Sequence, residues 1–429
     1  MPVQTTNWDQ CLQHTAVTDV GMRRSNNQDN FAVVIASSER SWRDRGHVFM
    51  VADGMGAHAA GELASKLAAD SVPHLYHKLR ELSVPEALVR AIRETNAEIH
   101  GRGQANADFR NMGTTISMLT LLPQGAVAAH VGDSRIYRLR GHELHQLTFD
   151  HSLVWELRAA GKLDEHTEKQ GKVPSNVITR SLGPHPKVQV DLEGPFPTQV
   201  GDTFLLCSDG LSGEVLDEEI GAMLMSLPPE EAARALVDLA NLRGGPDNIT
   251  VIVAKVTGRE LTTKAAGAEP LTVGRGQQQR TVHPAVWIAA GVLFVAGLGL
   301  GAGGMTIPAV LSLLGAAAAA GLGALLRFGG GGQGPTTLAG GRRLGRGPHA
   351  HIDCTPRQAF VQRLAETVQE LRTAVAGVDA TIDVARFDRF GQQAVAAAQQ
   401  GQFSAAVREY SHAISFMMQQ LRNRPRGSA

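Results

Sequence analysis

Four aspartates stand beside apolar runs of the sequence, where a carboxylate could do chemistry. Asp53, Asp133 and Asp209 each end such a run, and Asp247 precedes one. A carboxylate at the end of a buried strand loses solvation unless a cation or hydrogen bonds compensate it. One such aspartate is commonly a turn or cap residue, but four of them, three followed by Gly or Ser, are harder to explain as turns. Hard oxygen ligands on fixed strand ends suit Mg²⁺ or Mn²⁺, so the pattern predicts a divalent metal site.

Short β-like runs and amphipathic helical runs alternate through residues 1–258, and these elements must position the aspartates. The β-like runs often meet through short Gly, Pro or Asn turns, which favours hairpins over parallel crossovers. We therefore expect antiparallel sheets with helices outside them. The strand runs are 31–36, 47–53, 114–122, 126–133 and 203–209, and the main helical runs are 61–82 and 228–243.

Eight segments, in order, resemble the motifs of the metal-dependent protein phosphatases of type 2C in their bacterial style, and they cover most of residues 15–256. The resemblance implies an α+β fold, a four-layer α/β/β/α sandwich of two antiparallel sheets, with the metal centre in a cleft at one end. The matching segments are TDVGMRRSNNQD (18–29), ADGMGAH (52–58), GTT (113–115), GDSR (132–135), TFDHS (148–152), ITRSLG (178–183), CSDGL (207–211) and GPDNIT (245–250).

The resemblance also assigns the metal ligands. Asp53 would bridge two metal ions, with the backbone carbonyl of Gly54 helping at the second. Asp209 and Asp247 would complete the coordination of the first ion. Asp133 would share a third, more weakly bound ion with Asp209. The implied cofactors are two or three Mn²⁺ or Mg²⁺ ions.

Three further residues receive catalytic roles from the resemblance. Arg24 falls where the family has its phosphate-binding arginine, and a guanidinium group suits bidentate contact with phosphate. Because Arg23 is adjacent, the sequence leaves open which of the two arginines matches that position. Asp29 would orient metal-bound water, and His58 would protonate the leaving seryl or threonyl oxygen. Two bridged ions would lower the pKa of a shared water, and the resulting hydroxide would attack phosphorus in line, without a phosphoenzyme.

Two positions depart from the family pattern. Ala57 stands where Gly is common, and a positive φ there would strain an alanine and could shift His58. Gln28 stands where many members carry Glu, but its amide still offers a carbonyl oxygen. Neither change removes an aspartate ligand, so we expect an active enzyme.

Charge and cysteine content separate two parts of the chain and exclude some classes. The chain has 41 basic and 41 acidic residues; residues 259–429 hold 17 basic and 9 acidic ones, which leaves 24 and 32 in residues 1–258. The acidic catalytic part opposes non-specific binding to nucleic acid. Three scattered cysteines exclude a disulfide framework and a cysteine zinc site, and Cys207 receives no nucleophilic role. The first residues show no secretory signal.

Residues 284–326 carry no charge, and as helix they would extend roughly 64 Å, near two bilayer crossings. The sequence therefore predicts a transmembrane hairpin within 285–327, with spans at 285–303 and 306–326, between linkers 259–284 and 328–350. Arginines flank it on both sides, so the protein would be multi-pass in the cell inner membrane, with both soluble parts in the cytoplasm. The alternative is a buried Ala/Gly-rich helical pair in a soluble domain.

Residues 351–429 predict a small all-α C-terminal module with amphipathic helices. Within it, residues 386–420 resemble one tetratricopeptide-like unit, although an ordinary helical hairpin fits equally well. Such helices could bind a protein partner. The Gly/Arg stretch 340–348 lacks aromatic residues, so we expect it to meet lipid headgroups and expect no nucleic-acid partner.

The leading functional hypothesis is a membrane-tethered protein phosphatase that removes phosphate from phosphoserine and phosphothreonine in proteins. It would reverse bacterial Ser/Thr kinase signalling, with the cognate kinase and its substrates as partners. The sequence leaves open whether the substrate is instead phosphoserine on a regulatory protein, such as a regulator of sigma-factor antagonists. The alternative is a membrane-anchored adaptor with weak or vestigial activity that recruits partners through its C-terminal helices.

Overall fold

The computed structural model describes residues 8–57, 59–163, 173–174, 177–263, 271–273, 284–328, 336–337, 344–375 and 382–423. The chain divides into two compact units. The first contains Met1–Arg80, Ala87–Leu271 and Ala339–Ala429, and the second contains Glu81–Glu86 and Thr272–Leu338.

Fourteen strands and thirteen helices lie in the described residues. The strands are β1 (Leu12–Asp19), β2 (Asp29–Val34), β3 (His47–Met55), β4 (Gly113–Thr114), β5 (Ile116–Leu122), β6 (Gly125–Val131), β7 (Arg135–Arg140), β8 (Glu143–Gln146), β9 (Asp191–Phe196), β10 (Thr203–Cys207), β11 (Ile249–Val256), β12 (Thr272–Val273), β13 (Thr336–Thr337) and β14 (Ala350–Asp353). The helices are α1 (Trp8–Cys11), α2 (Glu39–Arg45), α3 (Ala60–Lys78), α4 (Val84–Ala105), α5 (Leu153–Ala159), α6 (Asp209–Ser212), α7 (Asp217–Ser226), α8 (Pro229–Leu242), α9 (Pro284–Ala302), α10 (Thr306–Phe328), α11 (Gln358–Val375), α12 (Val384–Gln399) and α13 (Phe403–Arg422). Two short 3₁₀ helices follow α4 and β11, at Ala107–Phe109 and Arg259–Leu261.

Two six-stranded antiparallel sheets form the centre of the first unit, as the sequence predicted. One has the order β1-β11-β10-β7-β8-β14, and the other the order β2-β3-β5-β6-β9 with β4 paired to β3. Apolar side chains from both sheets share one buried cluster that includes Phe49, Leu119, Leu206 and Ile252. Helix α3 packs on β2 and β3, and helix α8 packs on β1 and β11. The predicted α/β/β/α layering is therefore confirmed.

Local sequence explains the central elements. Strands β5 and β6 are buried at every position, because they lie between the other sheet and a covering layer, and their sequences are correspondingly apolar. Helix α8 begins with Pro229 at its first turn, followed by Glu230 and Glu231, whose charges favour a helix N-terminus. These elements give the site a rigid support.

The C-terminal residues are part of the catalytic unit, which corrects two predicted boundaries. Strand β14 pairs with the edge strand β8, with Ile352 opposite Leu144, and extends the first sheet. In the predicted linker 328–350, Gly347 N–H donates to Glu193 at 2.7 Å and His349 Nε2 lies 3.0 Å from the same carboxylate. Residues 344–350 therefore pack against β9, and the predicted module 351–429 is not separate.

The apolar faces of the C-terminal helices explain this docking. Helix α13 packs on α7 and α8 as well as on α11 and α12. Ile414 and Met417 of α13 belong to the same buried cluster as Ile220 and Leu236 of the catalytic part. The C-terminal all-α segment is confirmed, but a tetratricopeptide-like unit at 386–420 is not supported, because its second helix is covered by the phosphatase helices rather than by a neighbouring repeat.

Helices α9 and α10 of the second unit form the predicted helical pair, with a turn after Ala302. Gly297 lets the helices approach closely, since a Cβ there would lie 2.8 Å from Leu313 Cγ. Among the described residues, no helix combines the length and apolar character that crossing a bilayer requires. The predicted spans 285–303 and 306–326 are therefore not supported.

Candidate active site

Five aspartates converge at one end of the sandwich. Asp29 begins β2 and lies opposite Asp53, near the end of β3, in the antiparallel register. Asp133 follows β6, Asp209 begins α6 just after β10, and Asp247 lies two residues before β11. The charges of the other four carboxylates all act on Asp53, so the structure brings the predicted metal ligands into one cluster.

Burial and mutual repulsion disturb the ionisation of this cluster. Burial, followed by the neighbouring carboxylates, raises the pKa of Asp29 to about 7 and the pKa of Asp133 to about 8. The pKa of Asp53 is raised well above its ordinary value by burial and by the four neighbours. Burial and Asp247 raise the pKa of Asp209. The acid groups lack enough cationic compensation, which is the environment that a divalent ion relieves.

Unpaired oxygens support the same conclusion. One carboxylate oxygen each of Asp29, Asp133 and Asp209 is buried without a hydrogen-bond partner among the described residues. A buried polar atom of this kind is costly unless an ion or water meets it. No set of three or more His, Cys, Asp or Glu side chains in the described part already has a metal-binding arrangement. The unpaired carboxylate oxygens nevertheless fit Mn²⁺ or Mg²⁺ chemically, because both ions prefer oxygen ligands.

Backbone contacts hold the central ligand in place. Thr115 N–H donates to the Asp53 carbonyl at 2.8 Å, and Asp53 N–H donates to Thr115 Oγ1 at 3.0 Å. Gly54 follows at a close crossing of chains, since a Cβ at this position would lie 2.2 Å from the Gly61 carbonyl oxygen. Any side chain at position 54 would push α3 away, so this glycine is required for packing next to Asp53.

Three polar residues that received no predicted role support the ligands. Ser208 Oγ donates to Asp29 Oδ2 at 2.7 Å. Asn248 Oδ1 accepts from Gln28 N–H at 2.8 Å, and its amide donates to the Val20 and Asn26 carbonyls of the 20–28 loop between β1 and β2. His151 Nδ1 accepts from Gly132 N–H at 2.9 Å, beside Asp133. All three lie inside the matched motifs, but their partners are distant in sequence, so only the structure identifies them.

Arg24 is directed at the cluster. Its guanidinium donates to Asp247 Oδ2 at 2.7 Å, and its charge also acts on Asp209. The guanidinium is half exposed, so it is accessible to a phosphate group. This contact favours Arg24 over Arg23 for the predicted position. His58, the predicted general acid, lies outside the described residues, and its role stays a prediction.

The two departures from the motif are tolerated. Among the described residues other than glycine, only Asn111 has a positive φ, so Ala57 has no left-handed backbone to strain it. The Ala57 carbonyl accepts from Ala60 N–H at the start of α3. The Gln28 carbonyl accepts a short bond of 2.5 Å from Ser65 Oγ, which ties this residue to α3.

We expect the chelated protein to lose stability with rising pH through the carboxylate cluster. The pKa of Asp133 is about 8 in the fold against 3.8 in its ordinary state, so the folded chain binds the extra proton between these values. Stability from this group is present at low pH and falls as the pH rises toward 8. Asp133→Asn, which removes the charge, should therefore melt above the unchanged chain by a margin that grows as the pH rises from 5 to 8.

Melting temperatures of both chains in a chelator, measured from pH 5 to 9, check this expectation. Comparing the two chains cancels the contribution of buried histidines, which is common to both. A difference that stays constant or reverses sign with pH contradicts the expectation. Mn²⁺ should raise the melting temperature of the unchanged chain at pH 8 by about 5 °C or more, because it binds only the folded state.

A two-sheet sandwich that collects acidic side chains and an exposed arginine at one end defines a metal-dependent hydrolase of phosphate esters. Residues 22–240, about half of the chain, match the family model described as Protein phosphatase 2C. The chain belongs to the protein phosphatase 2C family, and it is an enzyme of the protein phosphatase class. Members of this family use Mn²⁺ or Mg²⁺.

Relatives from bacteria support this assignment. The chain is 37% identical over 249 residues to the protein phosphatase PhpP of Streptococcus pneumoniae, covering 57% of this chain and 98% of the relative. It is 37% identical over 256 residues to the serine/threonine phosphatase stp of Listeria monocytogenes, covering 58% and 97%. This chain therefore has a long segment that these two relatives lack.

Solved structures give the same result. The serine/threonine phosphatase of S. agalactiae is similar with a TM-score of 0.52 and 35% identity, over 57% of this chain and 99% of that chain. The serine/threonine phosphatase PstP/Ppp of Mycobacterium tuberculosis has a TM-score of 0.50 and 35% identity, over 58% and 100%.

Proposed function

We propose that this protein removes phosphate from phosphoserine and phosphothreonine of proteins and so reverses bacterial Ser/Thr kinase signalling. The observation that carries the proposal is the cluster of five aspartates with Arg24 beside it. The relatives named as serine/threonine phosphatases support the substrate class. The adaptor alternative is not favoured, because the cluster keeps every predicted aspartate ligand.

The residues of the site would have different roles in the reaction. Asp53, Asp209 and Asp247, with the Gly54 carbonyl, would hold the metal ions, and Asp133 would hold a weaker one. When bound, the metals supply Lewis-acid activation of water and neutralise charge on the phosphoryl oxygens. Arg24 would leave Asp247 and grip phosphoryl oxygens, and Asp29, fixed by Ser208, would orient the attacking water through a hydrogen bond. His58 would protonate the leaving oxygen.

Phosphate release from matched peptides tests the proposal. The full chain is incubated with phosphothreonine, phosphoserine and phosphotyrosine versions of one peptide, with Mn²⁺ or with excess chelator. We expect release from the first two to fall about a hundredfold or more on chelation, and the phosphotyrosine peptide to react slowly. Release that survives chelation, or no release from any peptide by folded protein, would overturn the proposal.

The cognate kinase, its substrates and a protein partner for the C-terminal helices belong to this proposal as the expected partners. A place at the cell inner membrane, with the catalytic and C-terminal parts in the cytoplasm, also stays a prediction of the sequence. Fractionation of cells that produce the full chain tests it, because a membrane-bound protein would stay in the washed membrane pellet.

A further inference from the structure

The last turn of the C-terminal helix reaches the catalytic part close to the site. Arg422 of α13 donates to Asp238 Oδ1 of α8 at 2.5 Å, and the same guanidinium lies 3.6 Å from Asp19 Oδ2 at the end of β1. The Asp238 side chain is fully buried, whereas Arg422 and Asp19 are partly exposed. A cleft of about 340 Å³ between β1, α8 and α13 surrounds this pair of contacts.

Asp19 anchors the loop that carries Arg24. Its Oδ1 accepts from Gly21 N–H at 2.9 Å and from the Asn241 amide of α8 at 3.1 Å. Gly21 has φ +79°, and a Cβ there would lie 2.2 Å from the Asp247 carbonyl oxygen, so this turn sits tightly on the Asp247 loop. The conformation of the turn thus depends on the cap that Asp19 provides.

The loop is then joined to the metal ligand Asp247 on its other side. Met22 N–H donates to the Gly245 carbonyl at 2.8 Å, and Arg24 donates to Asp247 Oδ2 at 2.7 Å. Gly245 N–H in turn donates to the Ala240 carbonyl of α8. Asp238 and Ala240 are both on α8, so Arg422 contacts the two elements that support the Arg24 loop, the end of β1 and helix α8.

We propose that Arg422 is a positioning residue for phosphate binding: by pairing with Asp19 and Asp238 it holds the 20–28 loop so that Arg24 faces the aspartate cluster. The inference rests on the proposed function of Arg24. The two relatives match 57% and 58% of this chain along 98% and 97% of their own length, so they are too short to contain the whole of the C-terminal segment. Arg422 itself does not touch substrate.

Arg422→Gln tests the proposal, with Arg372→Gln as the matched control. The two arginines are equally exposed, 35% and 34%, but Arg372 pairs with Asp388 inside the C-terminal segment. For Arg422→Gln we expect KM for a phosphothreonine peptide and the inhibition constant of inorganic phosphate to rise about threefold to tenfold, with little change in kcat. Arg422→Lys should recover part of this loss, because it keeps the charge.

Hydrogen exchange separates this inference from the proposed function, since it needs no activity. Amides of residues 20–28 should exchange faster in Arg422→Gln than in Arg372→Gln. If Arg422→Gln folds poorly, Asp19→Asn replaces it, because Asn still accepts from Gly21 N–H but loses the ion pair. Equal KM, phosphate inhibition and exchange in the Arg422 and Arg372 variants would overturn the inference, whereas an inactive but properly folded wild type would overturn only the proposed function.

Discussion

Replacing Asp209 with Asn is expected to reduce kcat/KM for phosphate release by on the order of a thousandfold, while the chain stays folded. Asn has the size of Asp, so the packing at the start of α6 is retained. The Asn amide has no charge to hold a cation. It replaces a carboxylate that has one unpaired buried oxygen, and its own carbonyl oxygen is only a weak neutral ligand. Removing one carboxylate should also relieve repulsion in the cluster, so the variant should melt no lower than the unchanged chain in chelator.

Asp202→Asn is the matched control. Asp202 is also a buried aspartate, paired with Arg140, but it precedes β10 whereas Asp209 follows this strand. At about 3.3 Å per residue the two carboxylates lie roughly 20 Å apart. The control should therefore lose stability and keep its metal-dependent activity. Phosphate release and Mn²⁺ affinity by calorimetry measure both effects; an Asp209→Asn protein with a tenth or more of the activity would contradict the metal assignment.

The site was predictable because it is encoded in short segments. Asp53, Asp133, Asp209 and Asp247 each stand at the end or start of an apolar strand, and strand ends of a sandwich meet at the same edge. Their supports were not predictable. Ser208 and Asp29 are 179 positions apart, and no local pattern indicates that a hydroxyl donates to that carboxylate. Such partners depend on how the two sheets that contain β2 and β10 pack against each other.

The C-terminal helices illustrate another limit. Amphipathic spacing predicted helices with apolar faces within 351–429, and Phe360, Leu364 and Val368 of α11 are buried. Periodicity does not state what covers an apolar face, so the sequence allowed a separate module. In the structure α11 packs on α13, which in turn packs on α7 and α8. The ion pair Arg363–Glu219 joins residues 144 positions apart. The membrane hairpin predicted from the uncharged stretch 284–326 is likewise not supported among the described residues.

A chain that ends at residue 343 is expected to be much less stable than the full chain and to aggregate. It retains α9 and α10 but loses β14 and α11–α13, which uncovers the apolar faces of α7 and α8. Each large apolar side chain returned to water costs about 1.5–3 kcal/mol, and a domain has only about 5–15 kcal/mol of net stability. The buried charges of Asp238 and Glu219 also lose their C-terminal arginine partners. Thermal unfolding and light scattering measure the effect.

Point variants test whether the C-terminal segment, residues 344–429, must pack on the catalytic helices to stabilise the chain. Ile414→Asp places a charge in the fully buried contact between α13 and the catalytic helices, and it should destabilise the full chain nearly as much as the deletion does. Val395→Asp makes a similar apolar-to-charged change on the same helical hairpin, but Val395 is 46% exposed, so this control should melt within about 2 °C of the unchanged chain. A shortened chain that stays monomeric with an unchanged melting temperature would show that the phosphatase sheets are stable alone. Destabilisation by Ile414→Asp and by the deletion, but not by Val395→Asp, would make the C-terminal segment a structural part of the catalytic unit.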